Sequence, residues 1–405
     1  MSRVTSLLNP SPGSSAPAPP STRNDEQYSF PIPPRVPSEP LPLQRPKCLL
    51  TFSYNANHEL EFNNSAMKYF SPPPAQADLN WGYDRWVHKE EGIVRLDSLL
   101  QATLRDEARY EAGRAHLVTW RGIMTKIMMA PYEERDSWDL NLMYLNGTMY
   151  LEENLTEQQI QAKGTMTAEH RTMSYYGYAF ESYCTSSSPS ADSQAPNTHP
   201  EAPPGWGGDV NTNVQWCQIV KTKLNSHRLI LGGEVDCVRD SYNGTTENFV
   251  ELKTSLVIKT KPDRVRFEKK LLKFWAQSFL LGVPEILVGY RFRSGIVEYT
   301  ESFRTLDIPQ IVRGKGAHAW DAGVCLNFAD AFLNFLDGII ATSTNDPRLP
   351  LWRISFLPRK GIMVRRLHNR KEVLDVQGGG DSDRVGILPT WFWNHATGTS
   401  NNSEN

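Results

Sequence analysis

Alternating apolar and polar positions mark two strands in the middle of the chain. Residues 228–238 (RLILGGEVDCV) and 248–258 (NFVELKTSLVI) are dense in Leu, Ile, Val and Phe. Between them Asn243-Gly244 is a turn dipeptide, which predicts an antiparallel neighbouring pair. Side chains on a strand alternate between faces. Glu234 and Asp236 are therefore expected on one face, and Glu251 and Lys253 on one face of the next strand with Leu252 pointing away. The period then changes. In residues 264–281 (RVRFEKKLLKFWAQSFLL) the positions Phe267, Leu271, Phe274, Ser278 and Leu281 recur at helical spacing, while Lys270, Lys273 and Gln277 make a second, polar stripe. Gly282-Val283-Pro284 closes that helix, and residues 285–293 (EILVGYRFR) read as another buried strand. Further helices are expected at 96–115 and 322–341.

This pattern brings Glu234, Asp236, Glu251 and Lys253 onto one patch. Carboxylates so close repel one another, and one takes up a proton unless cations neutralise them. Hard oxygens without a nearby Cys or His suit Mg²⁺ or Mn²⁺ and not zinc. An aspartate followed fifteen residues later by Glu251-Leu252-Lys253 resembles the active-site pattern of the PD-(D/E)xK nuclease superfamily. There, carboxylates hold metal ions that activate water, and the lysine is a point charge for the scissile phosphate. Taken alone, Glu-x-Lys also describes a solvated strand face with a cross-strand ion pair. The apolar surroundings weigh against that, because unpaired charge is costly to bury. Gln277 adds to the case, since its amide needs a partner in the apolar context Phe274 to Phe279.

Four ordered motifs make the resemblance narrower. Gly177-Tyr178-Ala179-Phe180-Glu181, Gly233-Glu234-Val235-Asp236-Cys237, Glu251-Leu252-Lys253 and Trp275-Ala276-Gln277-Ser278 are similar to successive motifs of the decapping and exoribonuclease (DXO) family, whose fungal branch accompanies a nuclear 5′–3′ exoribonuclease. Trp120-Arg121-Gly122 is similar to the family's upstream arginine motif. The resemblance spans about residues 47 to 395. It implies that Glu181, Glu234, Asp236 and Glu251, with the Leu252 carbonyl, hold two divalent cations. It also implies that Lys253 and Gln277 contact the scissile phosphate and Arg121 an RNA phosphate. Read without the resemblance, Arg121 is an arginine on a core strand paired with a buried carboxylate, and Glu181 a capping or ion-pair residue in a strand. The expected fold is α/β: twisted, mixed, largely antiparallel sheets flanked by helices around a PD-(D/E)xK-like core. The implied activity is metal-dependent hydrolysis at the 5′ end of RNA, on incomplete or atypical caps or a 5′-triphosphate. The implied partners are the RNA 5′ end and the nuclear exoribonuclease, and the implied location is the nucleus. Two other classes compete: a mainly non-catalytic stabilising partner of the exoribonuclease, and a DNA endonuclease of the wider superfamily. The intact acid–lysine set disfavours the first, and the Glu181 and Trp275–Ser278 motifs the second.

Composition sets the limits. Twelve of the 28 prolines fall in residues 1–46, which are expected to be a flexible tail, with Tyr28-Ser-Phe-Pro-Ile-Pro-Pro as a segment able to lie along the surface. Residues 47–395 are expected to form one catalytic domain with a Ser/Pro-rich insertion at 185–213, and 396–405 a polar tail. With 43 basic and 45 acidic residues and a net charge of −2, nucleic-acid binding has to be local. Residues 259–273 (seven Lys/Arg, two acids) and 359–371 (six, none) are the candidate stretches. Five cysteines without a CxxC pair point to reduced thiols in an intracellular protein. No signal peptide or run long enough to span a bilayer is evident, so no membrane association is expected. Walker A, GxGxxG, HExxH and GxSxG motifs are absent from the sequence.

Overall fold

The structure, a computed structural model, describes residues 26–90, 92–165, 167–189, 199–314, 319–343, 349–378 and 383–399. Its frame is a ten-stranded mixed sheet. In spatial order the strands are Gln27–Phe30, Gly361–Arg366, Leu351–Leu357, Trp138–Leu145, Thr148–Asn154, Leu117–Trp120, His227–Glu234, Gln215–Leu224, Lys47–Tyr54 and Leu60–Glu61. Leu117–Trp120 is parallel to both neighbours, and the other pairings are antiparallel. A second, six-stranded sheet runs Val297–Arg304, Glu285–Arg291, Phe249–Leu256, Cys237–Val238, Tyr69–Phe70, Thr185–Ser186.

Both faces of the large sheet are covered, so its central strands are apolar on both sides. Leu229 and Leu231 enter the largest core with helices Arg121–Met129, Lys261–Leu281 and Ala322–Ser343. Ile230, between them, faces the second core with Leu99, Leu100 and Phe392. A third core joins the small sheet to helix Ala168–Tyr183 through Phe180, Leu252 and Leu287. Phe249–Leu256 and Glu285–Arg291 pair in parallel, which requires a crossover, and Lys261–Leu281 provides it. That helix starts three residues earlier than the apolar stripe predicts, because Thr260 and Asp263 form a capping box.

Several expectations change. The strand expected at 228–238 is two strands in two sheets, His227–Glu234 and Cys237–Val238. Only its last two residues pair with Phe249–Leu256, as Cys237 with Val250 and Val238 with Phe249. Glu234 and Asp236 therefore do not share a face by simple alternation. The helix expected at 96–115 is broken into Asp97–Thr103 and Asp106–Ala112, with Arg105 extended between them.

Residues 26–46 are not free tail. Gln27–Phe30 pairs with Gly361–Arg366, and Phe30 packs on Phe328, Phe332 and Phe335. Residues 1–25 of the expected tail lie outside the described residues, as do 190–198 of the expected insertion and 400–405 at the C-terminus. The rest of the insertion folds back, with Trp206 buried and Gly207 N donating to Ser182 O. Helix Thr390–Thr397 carries the fold two residues past the boundary expected at 395. Within Ala322–Ser343, residues 322–342 are long and apolar enough to cross a membrane by length and composition, contrary to expectation. Cys325, Ala329, Phe332, Leu333 and Leu336 of that helix are fully buried in the main core, which accounts for its hydropathy. All five cysteines are unpaired.

Candidate active site

The seam between the two sheets is where the acids meet. The chain leaves the large sheet at Glu234 and enters the small one at Cys237. Asp236 stands in the gap, and its Oδ2 accepts the Leu252 N–H at 2.6 Å, satisfying a donor that a continuous ladder would have paired. The N–H and C=O of one strand residue point to the same edge, so the Leu252 carbonyl also faces this gap. Glu234 Oε2 accepts from Gln215 Nε2 at 3.0 Å. Glu251 is 1% exposed; its Oε1 lies 2.5 Å from Lys253 Nζ and 3.7 Å from Arg121 Nη1. Lys253 Nζ is also 3.9 Å from Asp236 Oδ2.

Arg121 opens helix Arg121–Met129, directly after strand Leu117–Trp120, rather than lying on the strand. Its carboxylate partner, Glu251, belongs to the acid set, so the ion-pair reading and the site reading describe one contact. Glu181 reaches the seam from helix Ala168–Tyr183, not from a strand. Two glycines permit these approaches. A Cβ on Gly233 would stand 2.6 Å from Leu281 and 3.2 Å from Arg121 Cβ, so only glycine lets both helices close on the strand. Gly289 leaves room for the Phe180 ring, which seats the helix carrying Glu181. Gln277, half-buried, lies one turn before Leu281 and one turn after Lys273, on the face turned to the seam, and makes no hydrogen bond among the described residues.

The electrostatics follow from four acids against two close cations. Burial, then Asp236 and Glu234, push Glu181 well above the usual carboxylate range. Burial, with Glu251 adding to it against Arg121, raises Glu234. Burial and then Glu251 push Asp236 up to about 7. Burial would raise Glu251 too, but Lys253 and Arg121 hold it below its ordinary value. Lys253 stays protonated: burial opposes the charge, and Glu251 and Asp236 outweigh it. Burial, then Lys253, Lys126 and Arg121, lower Lys273, so those cations crowd one side of the acids.

A cleft of about 560 Å³ opens at the acids, lined by Glu181, Glu234 and Asp236 together with Lys68, Lys89, Tyr54, His58, His88 and Tyr178. Glu251, Lys253, Gln277 and Arg121 are not among its lining residues. Sequence reading missed Gln215, Lys68 and Lys89, which sit in no motif; Lys126 lies in Met124-Thr125-Lys126 beside the arginine motif, with no role expected of it. It also missed Gln218, whose fully buried amide donates to Leu281 O and ties the end of helix Lys261–Leu281 to the sheet. An amide inside the apolar run WCQIV was a readable signal.

The residues fit a hard divalent cation. All donors are oxygens, three of the four carboxylates are raised by burial and mutual repulsion, and the buried Glu251 Oε2 has no hydrogen-bond partner. Among the described residues no three acidic, His or Cys side chains stand close enough to enclose one ion. Lys253 accounts for this, because its ammonium takes up Glu251 and faces Asp236. Of the two basic stretches, 259–273 belongs to the site: Lys270 Nζ donates to Thr254 O at 2.7 Å and Lys273 faces Lys253. Stretch 359–371 does not. Its strand Gly361–Arg366 is separated from His227–Glu234 by four strands, roughly 24 Å, and Arg365 pairs with Glu372.

Two acid-bearing strands meeting at the seam of a mixed sheet, with a lysine two residues after the second acid, define a PD-(D/E)xK nuclease. The chain belongs to the family described as RAI1 like PD-(D/E)XK nuclease, whose model matches residues 44–393. It is 37% identical over 333 residues to the decapping nuclease RAI1 of Aspergillus fumigatus, covering 79% of this chain and 88% of that one. It is 36% identical over 336 residues to the human decapping and exoribonuclease protein, covering 79% and 81%. Its fold matches Candida albicans Rai1, solved in complex with pU5-Mn2+, at a TM-score of 0.73 and 22% identity, covering 92% of this chain and 100% of that one. The chain is thus a hydrolytic enzyme of the RNA-decapping nuclease class.

Proposed function

We propose that this protein hydrolyses phosphoanhydride or phosphodiester bonds at the 5′ end of RNA, removing incomplete or atypical caps and releasing pyrophosphate from 5′-triphosphate ends. The observation that carries this reading is the seam itself, where Glu251 meets Lys253 and Arg121, Asp236 faces Lys253, and Glu181 and Glu234 line the cleft beside Asp236. The four carboxylates and the Leu252 carbonyl would hold divalent cations, Mg²⁺ or Mn²⁺ and two in number. Such ions would supply Lewis-acid stabilisation of phosphoryl charge and activation of the attacking water. Lys253 and Gln277 contact the scissile phosphate, and Arg121, backed by Lys126 and Lys273, a phosphate of the RNA body. Gln215 fixes the orientation of Glu234, and the Leu252 N–H that of Asp236.

The product is a 5′-monophosphate RNA. The recipient we propose from the family resemblance is a nuclear 5′–3′ exoribonuclease bound to this protein away from the acids, and a nuclear location is proposed with it. A second reading has the enzyme degrade RNA onward by itself, and the 36% identity to a protein named for both activities favours keeping it. One experiment tests both. Purified protein is incubated with RNAs that differ only at the 5′ end, and the released groups are identified. Cap dinucleotide or pyrophosphate with the RNA body intact supports the first reading, and nucleotides released stepwise support the second. Co-purification with or without the exonuclease tests the partner.

A further inference from the structure

We propose that Tyr178 is a substrate-binding residue, a platform on which a nucleobase at the RNA 5′ end stacks while its phosphates lie on the acids. This deepens the 5′-end reading and rests on it. Tyr178 precedes Glu181 by three positions on helix Ala168–Tyr183, so the two side chains are neighbours on one helix face. Both line the 560 Å³ cleft together with Glu234 and Asp236. Tyr178 is 38% exposed, unlike Tyr175 and Tyr176 before it, which are buried. Its ring does not stand alone. Trp86 backs it with centroids 5.7 Å apart, and Trp86 in turn packs on His88 at 4.7 Å and Tyr175 at 5.4 Å. The chain therefore places a braced aromatic cluster at the cleft wall, with Glu181 one helical turn from Tyr178.

A nucleobase is the chemistry this wall fits. It has a flat π-face that stacks on a phenol ring whatever its identity, and its own phosphates reach metal-binding acids within one nucleotide. A hydrophobic peptide side chain would gain nothing from acids beside it. The cleft is wide enough for a nucleotide and carries Lys68 and Lys89 to offset phosphate charge. The stacked base comes either from the cap nucleoside or from the first nucleotide of the RNA.

The test uses two RNAs of one sequence, one GpppG-capped and one 5′-triphosphate, with wild type, Tyr178→Ala and Tyr178→Phe. Tyr178→Ala should raise KM roughly tenfold with kcat little changed, and Tyr178→Phe should behave as wild type. A rise on capped RNA alone assigns the stack to the cap nucleoside; a rise on both assigns it to the first RNA base. A second measurement does not depend on turnover. Guanosine, which has no phosphate, should show saturation-transfer contacts with wild type and Tyr178→Phe and lose them in Tyr178→Ala. Equal KM values for wild type and Tyr178→Ala on both RNAs, or equal guanosine contacts, overturn the platform. Guanosine contacts that depend on Tyr178 in a protein that converts neither RNA would retain the platform and overturn the 5′-end reading.

Discussion

At the residue scale the site is a balance of four acids against Lys253 and Arg121, and its acids titrate in opposite directions. Asp236 is raised in the folded state, so the folded protein holds more protons than the unfolded chain between its ordinary value of 3.8 and about 7. Its contribution therefore costs stability as pH rises through that window. Glu251 is depressed, and its contribution is present at neutral pH and lost on acidification. In a chelator, Asp236→Asn should thus gain stability over wild type at pH 7 and little at pH 4, measured by urea denaturation at both. An equal difference at the two pH values contradicts the assignment. Lys253→Ala and Gln277→Ala should lower kcat more than affinity, since they act on charge that develops at the phosphate. Arg121→Ala should weaken RNA binding and flatten its salt dependence, read from affinities across a salt series. An unchanged salt slope would leave Arg121 only its ion pair with Glu251. The identities of these residues were legible in the sequence because Glu-x-Lys and the acid pair keep chemical types at fixed spacing. Gln215 and Lys68 were not, because they reach the site through tertiary packing from strands and loops with no motif of their own.

At the scale of elements, the seam depends on close approaches that glycine allows. Gly289→Ala would drive a methyl group into the Phe180 ring and displace the helix that carries Glu181. It should cost about 1–3 kcal/mol of stability and reduce turnover well beyond that of a surface change. Adding Phe180→Leu should restore part of both, which a thermodynamic double-mutant cycle would read. Additive effects would mean the two sites are not coupled. Helix Lys261–Leu281 was readable from its period, but its start was not, because the capping box of Thr260 and Asp263 sets it three residues before the apolar stripe. Nor was the break between Glu234 and Cys237. Residues 228–238 read as one continuous strand run, so nothing local shows that the chain changes sheet; the competition for partners, Gln215–Leu224 on one side and Phe249–Leu256 on the other, decides it.

At the scale of the whole molecule, two sheets with both faces covered hold the acids at a cleft. The N-terminal segment is part of this frame in spite of its prolines. Proline density signalled irregular backbone over much of it, but the pairing of Gln27–Phe30 with Gly361–Arg366 and the packing of Phe30 among Phe328, Phe332 and Phe335 dock it. Phe30→Ala should cost about 3–5 kcal/mol in denaturant unfolding. Removing residues 1–46 should cost at least as much, and no loss in either case would return the segment to a tail. The role proposed for the seam is metal-dependent hydrolysis at the RNA 5′ end. Its most direct test is the fate of a 5′-triphosphate RNA labelled at the γ-phosphate, incubated with Mn²⁺ and wild type or Asp236→Ala. Labelled pyrophosphate should appear with wild type, disappear with chelator, return with Mn²⁺ or Mg²⁺, and never appear with a folded Asp236→Ala. Release by Asp236→Ala at the wild-type rate, or by wild type in excess chelator, would contradict it.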